Sequence, residues 1–243
     1  MSPDARDASR PLAGKTALVT GGSEGIGFAI AEALVAEGVE VGINGRSRER
    51  LEDAGRRLDV ATFQGDIGDE DTARTLVSDF VDRFGRLDIL INNAGFGYFS
   101  PLVEMELERF LDVQRTNVTG AFLMGREAAR RFVDQGGGGD LINISSTAGT
   151  KGFQGGTAYA TSKFALRGMT ECWRDELRRH DVRVMLVNPS EVQTRFAGKA
   201  GLGQQKSEKK LRGQEIADAI IGILKLDRRG FVPELAVFAT NPF

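Results

Sequence analysis

The 243-residue sequence holds one cysteine, Cys172, and one histidine, His180. A single cysteine excludes an internal disulfide and fits a reducing compartment. A single histidine excludes a metal site built from several imidazoles. No apolar run approaches the roughly 18–20 residues that a membrane span needs. A net charge of −2 gives no electrostatic reason to expect nucleic acid or a membrane as partner. Residues 1–10 mix Asp, Arg and Ser without an apolar stretch, so they read as a short disordered tail on a cytoplasmic protein, neither signal peptide nor anchor. The hydrophobic share is an ordinary 41%. The length suits one large α/β domain, expected over residues 11–243, better than two small ones.

Short apolar runs alternate with longer amphipathic stretches, the pattern of parallel strands joined by helices. Strands are expected over Thr16–Thr20, Val39–Asn44, Ala61–Gln64, Leu87–Ile91, Leu141–Ser145, Val182–Val187 and Glu234–Phe238. Helices are expected over about Gly25–Glu37, Arg48–Leu58, Asp69–Phe84, Leu107–Asp134, Ala158–Arg179 and Gln214–Leu224. Acids crowd the first turn of the third helix, where the macrodipole favours them. Ser100-Pro101 reads as an N-cap and first turn, and Gly136–Gly139 as a tight helix-to-strand turn. Cys172 and Trp173 read as packing residues, and His180 as a cap or cation at a helix end. Right-handed crossovers in this order give a doubly wound, seven-stranded parallel sheet flanked by helices, with ligands at the carboxyl ends of the strands.

Two motifs carry chemistry. Thr20-Gly21-Gly22-Ser23-Glu24-Gly25-Ile26-Gly27 turns the first strand into the first helix. Small residues there let backbone approach a pyrophosphate, and the helix N-terminus aims its N–H groups at the anion. The second motif is Tyr159 and Lys163, one helical turn apart, with Ser146 upstream. Reducing a ketone needs a proton for the developing alkoxide. A free tyrosine with a pKa near 10 is poorly matched to that task, and an ammonium one turn away is expected to lower it.

The Gly-x3-Gly-x-Gly spacing, Asn92-Asn93-Ala94-Gly95, Asn117, Ser146, Tyr159 with Lys163, and Asn188-Pro189 follow one another in an order that resembles the short-chain dehydrogenase/reductase family. The resemblance runs from about residue 12 to the end and looks most like bacterial 3-oxoacyl-(acyl-carrier-protein) reductases and their relatives. It implies a Rossmann-type fold and hydride exchange between a nicotinamide and a carbonyl or secondary alcohol. Tyr159 would be the proton donor, Ser146 would hold the substrate oxygen, Lys163 the nicotinamide ribose, and Asn117 a water. Cofactor contacts would come from Gly21, Ser23, Gly25, Ile26, Gly27, Arg46, Ser47, Asp66, Ile67, Asn93, Gly95, Tyr159, Lys163, Pro189, Val192 and Thr194. Ser190 stands where the family usually has glycine.

After the second strand the chain offers Arg46 and Ser47 and no acid, which favours NADP(H) over NAD(H). Glu24 in the glycine turn would repel a 2′-phosphate and keeps NAD(H) open. Asp66 also reads as a helix cap, and Arg46 as a solvated loop residue. Phe96, Tyr98, Phe99, Phe153 and Phe196 read as pocket or core. A polar, basic stretch at about 195–212 matches the family's substrate lid, and an acyl thioester is one substrate it could meet. The resemblance also implies a homo-oligomer, tetramer or dimer. An NAD(H)-dependent alcohol, steroid or sugar dehydrogenase of the same family is the alternative activity, and a non-catalytic nucleotide sensor the alternative class. A chain ending at Phe243 is expected to leave no room for the second domain of epimerases and dehydratases.

Overall fold

The computed structural model describes residues 11–193 and 209–241. The expected tail at 1–10, Thr194, Phe196 and most of the expected lid lie outside them. Seven strands form one parallel sheet: β1 (Thr16–Thr20), β2 (Glu40–Gly45), β3 (Ala61–Gln64), β4 (Ile89–Asn92), β5 (Gly139–Ile144), β6 (Val182–Pro189) and β7 (Glu234–Val237). Their spatial order is β3-β2-β1-β4-β5-β6-β7. The order reverses between β1 and β4, the switch point at which doubly wound sheets open a ligand crevice.

Helices cover both faces: α1 (Gly25–Ala36), α2 (Arg48–Leu58), α3 (Glu70–Phe84), α4 (Leu107–Gln114), α5 (Ala121–Gln135), α6 (Thr157–Leu177) and α7 (Gly213–Leu224). β1 and β6 are buried along their whole length, as strands covered on both faces must be. The edge strands β3 and β7 alternate between half-buried and exposed. On one face Ile30 and Leu34 of α1 and Ile216 and Ile220 of α7 pack onto Val19 and Ile91. On the other, Phe80 of α3 and Phe132 of α5 pack with Leu18 and Leu90.

Local sequence explains several boundaries. Asp69 caps α3 by accepting from the Thr72 N–H at 2.8 Å, with Glu70 and Asp71 in the first turn. Pro101 takes ψ 146°, extended rather than helical, so Ser100-Pro101 does not start a helix. A short 3-10 turn, Leu102–Glu104, intervenes before α4. The long helix of 107–135 is interrupted by a π turn at Arg115–Gly120. Gly136, Gly137 and Gly138 all have positive φ and form the turn. Gly139 already belongs to β5, where a Cβ would meet the Phe132 ring. Trp173 packs against the bare backbone of Gly125, but Cys172 is exposed, not a packing residue.

At the amino ends of the strands, away from the crevice, Asp140 is 1% exposed. Arg183 donates to its two oxygens at 2.6 and 3.1 Å, and Arg228 donates at 2.8 Å. No described helix is long and apolar enough to cross a membrane.

Candidate active site

The carboxyl ends of β1, β2, β4, β5 and β6 open into a cleft of about 880 Å3, within the range that takes a cofactor-sized ligand. Gly21 (φ 65°) and Gly25 (φ 62°) bend the chain there into conformations that disfavour a side chain. Glu24 precedes α1 without capping it by its side chain, so the first amides of the helix remain directed to the cleft. This cradle fits a dinucleotide pyrophosphate. Gly27 does not line the cleft. A Cβ there would come within 2.4 Å of the Gly21 carbonyl oxygen and the Asn93 Nδ2, so its smallness serves the closure of the turn rather than approach to a ligand.

Most other expected contacts converge on this cleft: Ser23, Ile26, Arg46, Ser47, Asp66, Ile67, Asn93, Gly95, Pro189 and Val192 all line it. Asn93 is also a brace, donating from Nδ2 to the Thr20 and Gly21 carbonyls at 3.0 and 3.2 Å. Asp66 accepts from the Gly68 N–H at 3.0 Å, a local turn, while Asp69 caps the helix. The Arg46 guanidinium sits 5.9 Å from the Phe96 ring centroid. Arg50, one turn into α2, lines the same end and was missed from sequence. Its signal was available: it lies three residues after Ser47 on the exposed start of a helix. Glu24 lines the cleft as well. Ser190 does not have positive φ, so it fits where glycine is usual, and its N–H donates to the Val237 carbonyl at 2.9 Å.

The Asn117 side chain is buried in the π turn, accepting from the Phe96 N–H (3.0 Å) and donating to the Phe96 carbonyl (2.9 Å) and the Ser162 Oγ (3.0 Å). The Ser162 hydroxyl in turn donates to the Tyr159 carbonyl at 2.7 Å. The side-chain amide of Asn117 therefore ties the loop after β4 to α6.

Ser146, Tyr159 and Lys163 meet at the cleft floor. Ser146 Oγ accepts from the Ala148 N–H at 3.1 Å, which leaves its proton for the Tyr159 oxygen. Ser145 points elsewhere, donating to the Lys163 carbonyl at 3.2 Å. Lys163 Nζ donates to the Ile144 carbonyl at 2.8 Å and lies 5.6 Å from the Tyr159 ring centroid. Burial pushes Tyr159 up to about 12, and the Ser146 bond holds it back; the residue is only partly buried, which tempers that push. Burial lowers Lys163 to about 8. Tyr159 is thus raised rather than lowered as expected, with burial the largest cause.

A sequence profile of the short chain dehydrogenase family matches residues 15–205. The chain is 34% identical to trans-4-hydroxycyclohexanecarboxylate dehydrogenase of Sinomonas cyclohexanicum, covering 91% of this chain and 89% of that one. It is 30% identical to D-threitol dehydrogenase of Mycolicibacterium smegmatis, covering 94% and 85%. An alcohol dehydrogenase from the archaeon Thermococcus sibiricus, complexed with 5-hydroxy-NADP, superimposes with a TM-score of 0.84 at 30% identity, covering 93% of this chain and 97% of its own. The chain belongs to the short-chain dehydrogenase family and is an NAD(P)-dependent oxidoreductase acting between CH–OH and C=O groups.

Proposed function

We propose that the protein is an NADP(H)-dependent carbonyl reductase, with Tyr159 as proton donor. The observation that carries this reading is the Ser146–Tyr159 hydrogen bond at the cleft floor with the Lys163 ammonium buried beneath. A Tyr159 held above its ordinary value is protonated at neutral pH, the form that gives a proton to an alkoxide. Ser146 orients the carbonyl oxygen against Tyr159. When bound, the nicotinamide supplies or accepts the hydride. Gly21, Ser23, Gly25 and Ile26 cradle the pyrophosphate, with Asn93 bracing the turn. Asp66 and Ile67 would flank the adenine, Gly95 would lie on the ribose side, and Pro189 and Val192 would flank the nicotinamide. The Lys163 ammonium, which donates to the Ile144 carbonyl, would hold the nicotinamide ribose. Asn117 positions α6 through Ser162.

NADP(H) is supported by Arg46, Ser47 and Arg50 at one end of the cleft and by Gly45 at the end of β2, where an acid would grip a ribose. The carboxylate of Glu24 in the same cleft favours a second reading, an NAD(H)-dependent alcohol or sugar dehydrogenase. A 3-oxoacyl thioester is the acyclic substrate to test. Exposed Leu107, Leu111, Phe122 and Phe164 on α4, α5 and α6 support a homo-oligomer.

Nicotinamide absorbance, followed with NADPH and with NADH against ketones, diketones and acetoacetyl-CoA, tests the reading. Tyr159→Phe is expected to lower turnover at least about 100-fold. Arg46→Ala is expected to raise the KM for NADPH about 10-fold and spare that for NADH, since a charged hydrogen bond contributes about 1.5–3 kcal/mol. A wild type that prefers NADH, with no response to Arg46→Ala, would establish the NAD(H) reading instead.

A further inference from the structure

Two loops meet beside Tyr159 and carry phenyl rings. Phe99 lies edge-on to the Tyr159 ring, with centroids 5.7 Å apart and planes at 68°. The Phe153 ring centroid lies 5.7 Å from that of Phe99, with the planes tilted at 45°. Backbone holds both in place. The Ser100 N–H donates to the Gly155 carbonyl at 3.0 Å, joining the loop after β4 to the loop after β5. Gly155 has φ 75°, a turn that favours glycine. The Gly156 N–H donates to the Phe153 carbonyl at 3.0 Å, and a Cβ on Gly156 would stand 2.7–2.8 Å from the Phe153 ring. The ring is therefore folded over bare backbone, and Phe153, which lines the cleft, is 49% exposed. Phe238, 65% exposed, lines the same cleft. Rings left open to water in a braced position stabilise whatever apolar surface covers them.

We propose that Phe153, backed by Phe99, is the platform for a ring-bearing substrate: a ketone or secondary alcohol whose reacting carbon belongs to, or is attached to, an alicyclic or aromatic ring. The flat face of the ring lies on Phe153 while the oxygen meets Ser146 and Tyr159. This rests on the oxidoreductase reading and adds a substrate class to it. A polyhydroxy chain would lay hydroxyls on phenyl faces that offer no hydrogen-bond partner. A linear acyl chain would lose freedom about each bond to cover the same area. A rigid ring avoids both costs.

The test compares 1-tetralone and cyclohexanone with 2-heptanone, using NADPH and NADH, in the wild type, Phe153→Ala, Phe153→Leu and Phe153→Tyr. Burying one ring is worth about 1.5–3 kcal/mol, so the ring ketones are expected to lead by about 10- to 100-fold in kcat/KM, mostly through KM. That lead collapses in Phe153→Ala, shrinks in Phe153→Leu and survives in Phe153→Tyr. Equal rates for ring and chain ketones, or a ring preference that persists in Phe153→Ala, would overturn the proposal. Saturation-transfer NMR of 1-tetralol with NADPH, a pair that cannot react, separates ring binding from turnover. If no ketone turns over, ring-proton contact that is lost in Phe153→Ala keeps the ring platform and sinks the reductase reading. Absence of ring-proton contact in the wild type sinks the platform.

Discussion

Replacing Lys163 by methionine is expected to stabilise the cofactor-free protein while abolishing turnover. The ammonium is 5% exposed, and burial lowers its pKa from 10.5 to about 8. At about 1.4 kcal/mol per pH unit, that difference corresponds to a cost of about 3 kcal/mol whenever the group is charged in both states. The cost is fully present below about pH 8, where folded and unfolded chains both bind the proton. Above pH 8 the folded lysine is neutral while the unfolded one still binds its proton, so stability rises with pH until about 10.5. Tyr159 acts in the opposite sense and later. Its raised value makes the folded chain hold a proton that the unfolded chain loses above 10, so stability falls between 10 and about 12. In the difference between wild type and variant, the interval from 8 to 10 therefore reports Lys163, because the lowered Lys15 is common to both. Methionine matches the stem in length but leaves the Ile144 carbonyl without its 2.8 Å donor, a loss of about 1–2 kcal/mol. At pH 7 the variant should be more stable by about 1–2 kcal/mol, the remainder of these two terms. By pH 9.5 the wild type should recover about 2 kcal/mol and close the gap. Urea unfolding at fixed protein concentration, at the two pH values, measures both quantities. A gap that does not change with pH, or a variant less stable than the wild type at pH 7, would refute the assignment of burial as the dominant cause.

Ser146→Ala is expected to lower kcat by about 100-fold or more. Ser145→Ala should cost about 1 kcal/mol of stability with little change in kcat, because its hydroxyl serves the Lys163 carbonyl. Steady-state kinetics with a reducible ketone decide this, and the reverse pattern would reassign the site. Asp140→Asn leaves the Arg183 guanidinium buried opposite a neutral amide and should destabilise by about 3–5 kcal/mol. The KM for cofactor should not move, since Asp140 lies at the amino ends of the strands. A loss under about 1 kcal/mol in chemical unfolding would show that the pair is replaceable.

Features governed by local rules were legible in the chain. Strands covered on both faces must be continuous apolar runs, so the strand and helix order and the doubly wound class were legible, with boundaries shifted by a residue or two. Val39–Asn44 became Glu40–Gly45, for example. The pairing of Tyr159 with Lys163 was legible because four residues on a helix always share a face. The glycine turn was legible because its backbone geometry demands those residues. Tertiary structure decided what depends on partners distant in sequence. The bracing role of the Asn117 side chain depends on the loop at Phe96 and Ser162 of α6, 21 and 45 residues away. Gly27 looked like a ligand contact until Asn93 filled the space beside it. Phe153 read as pocket or core, and the tertiary structure put it in the lining of the cleft. The protonation of Tyr159 turned on desolvation, which depends on everything packed around a group and so has no signature in the spacing of residues along the chain.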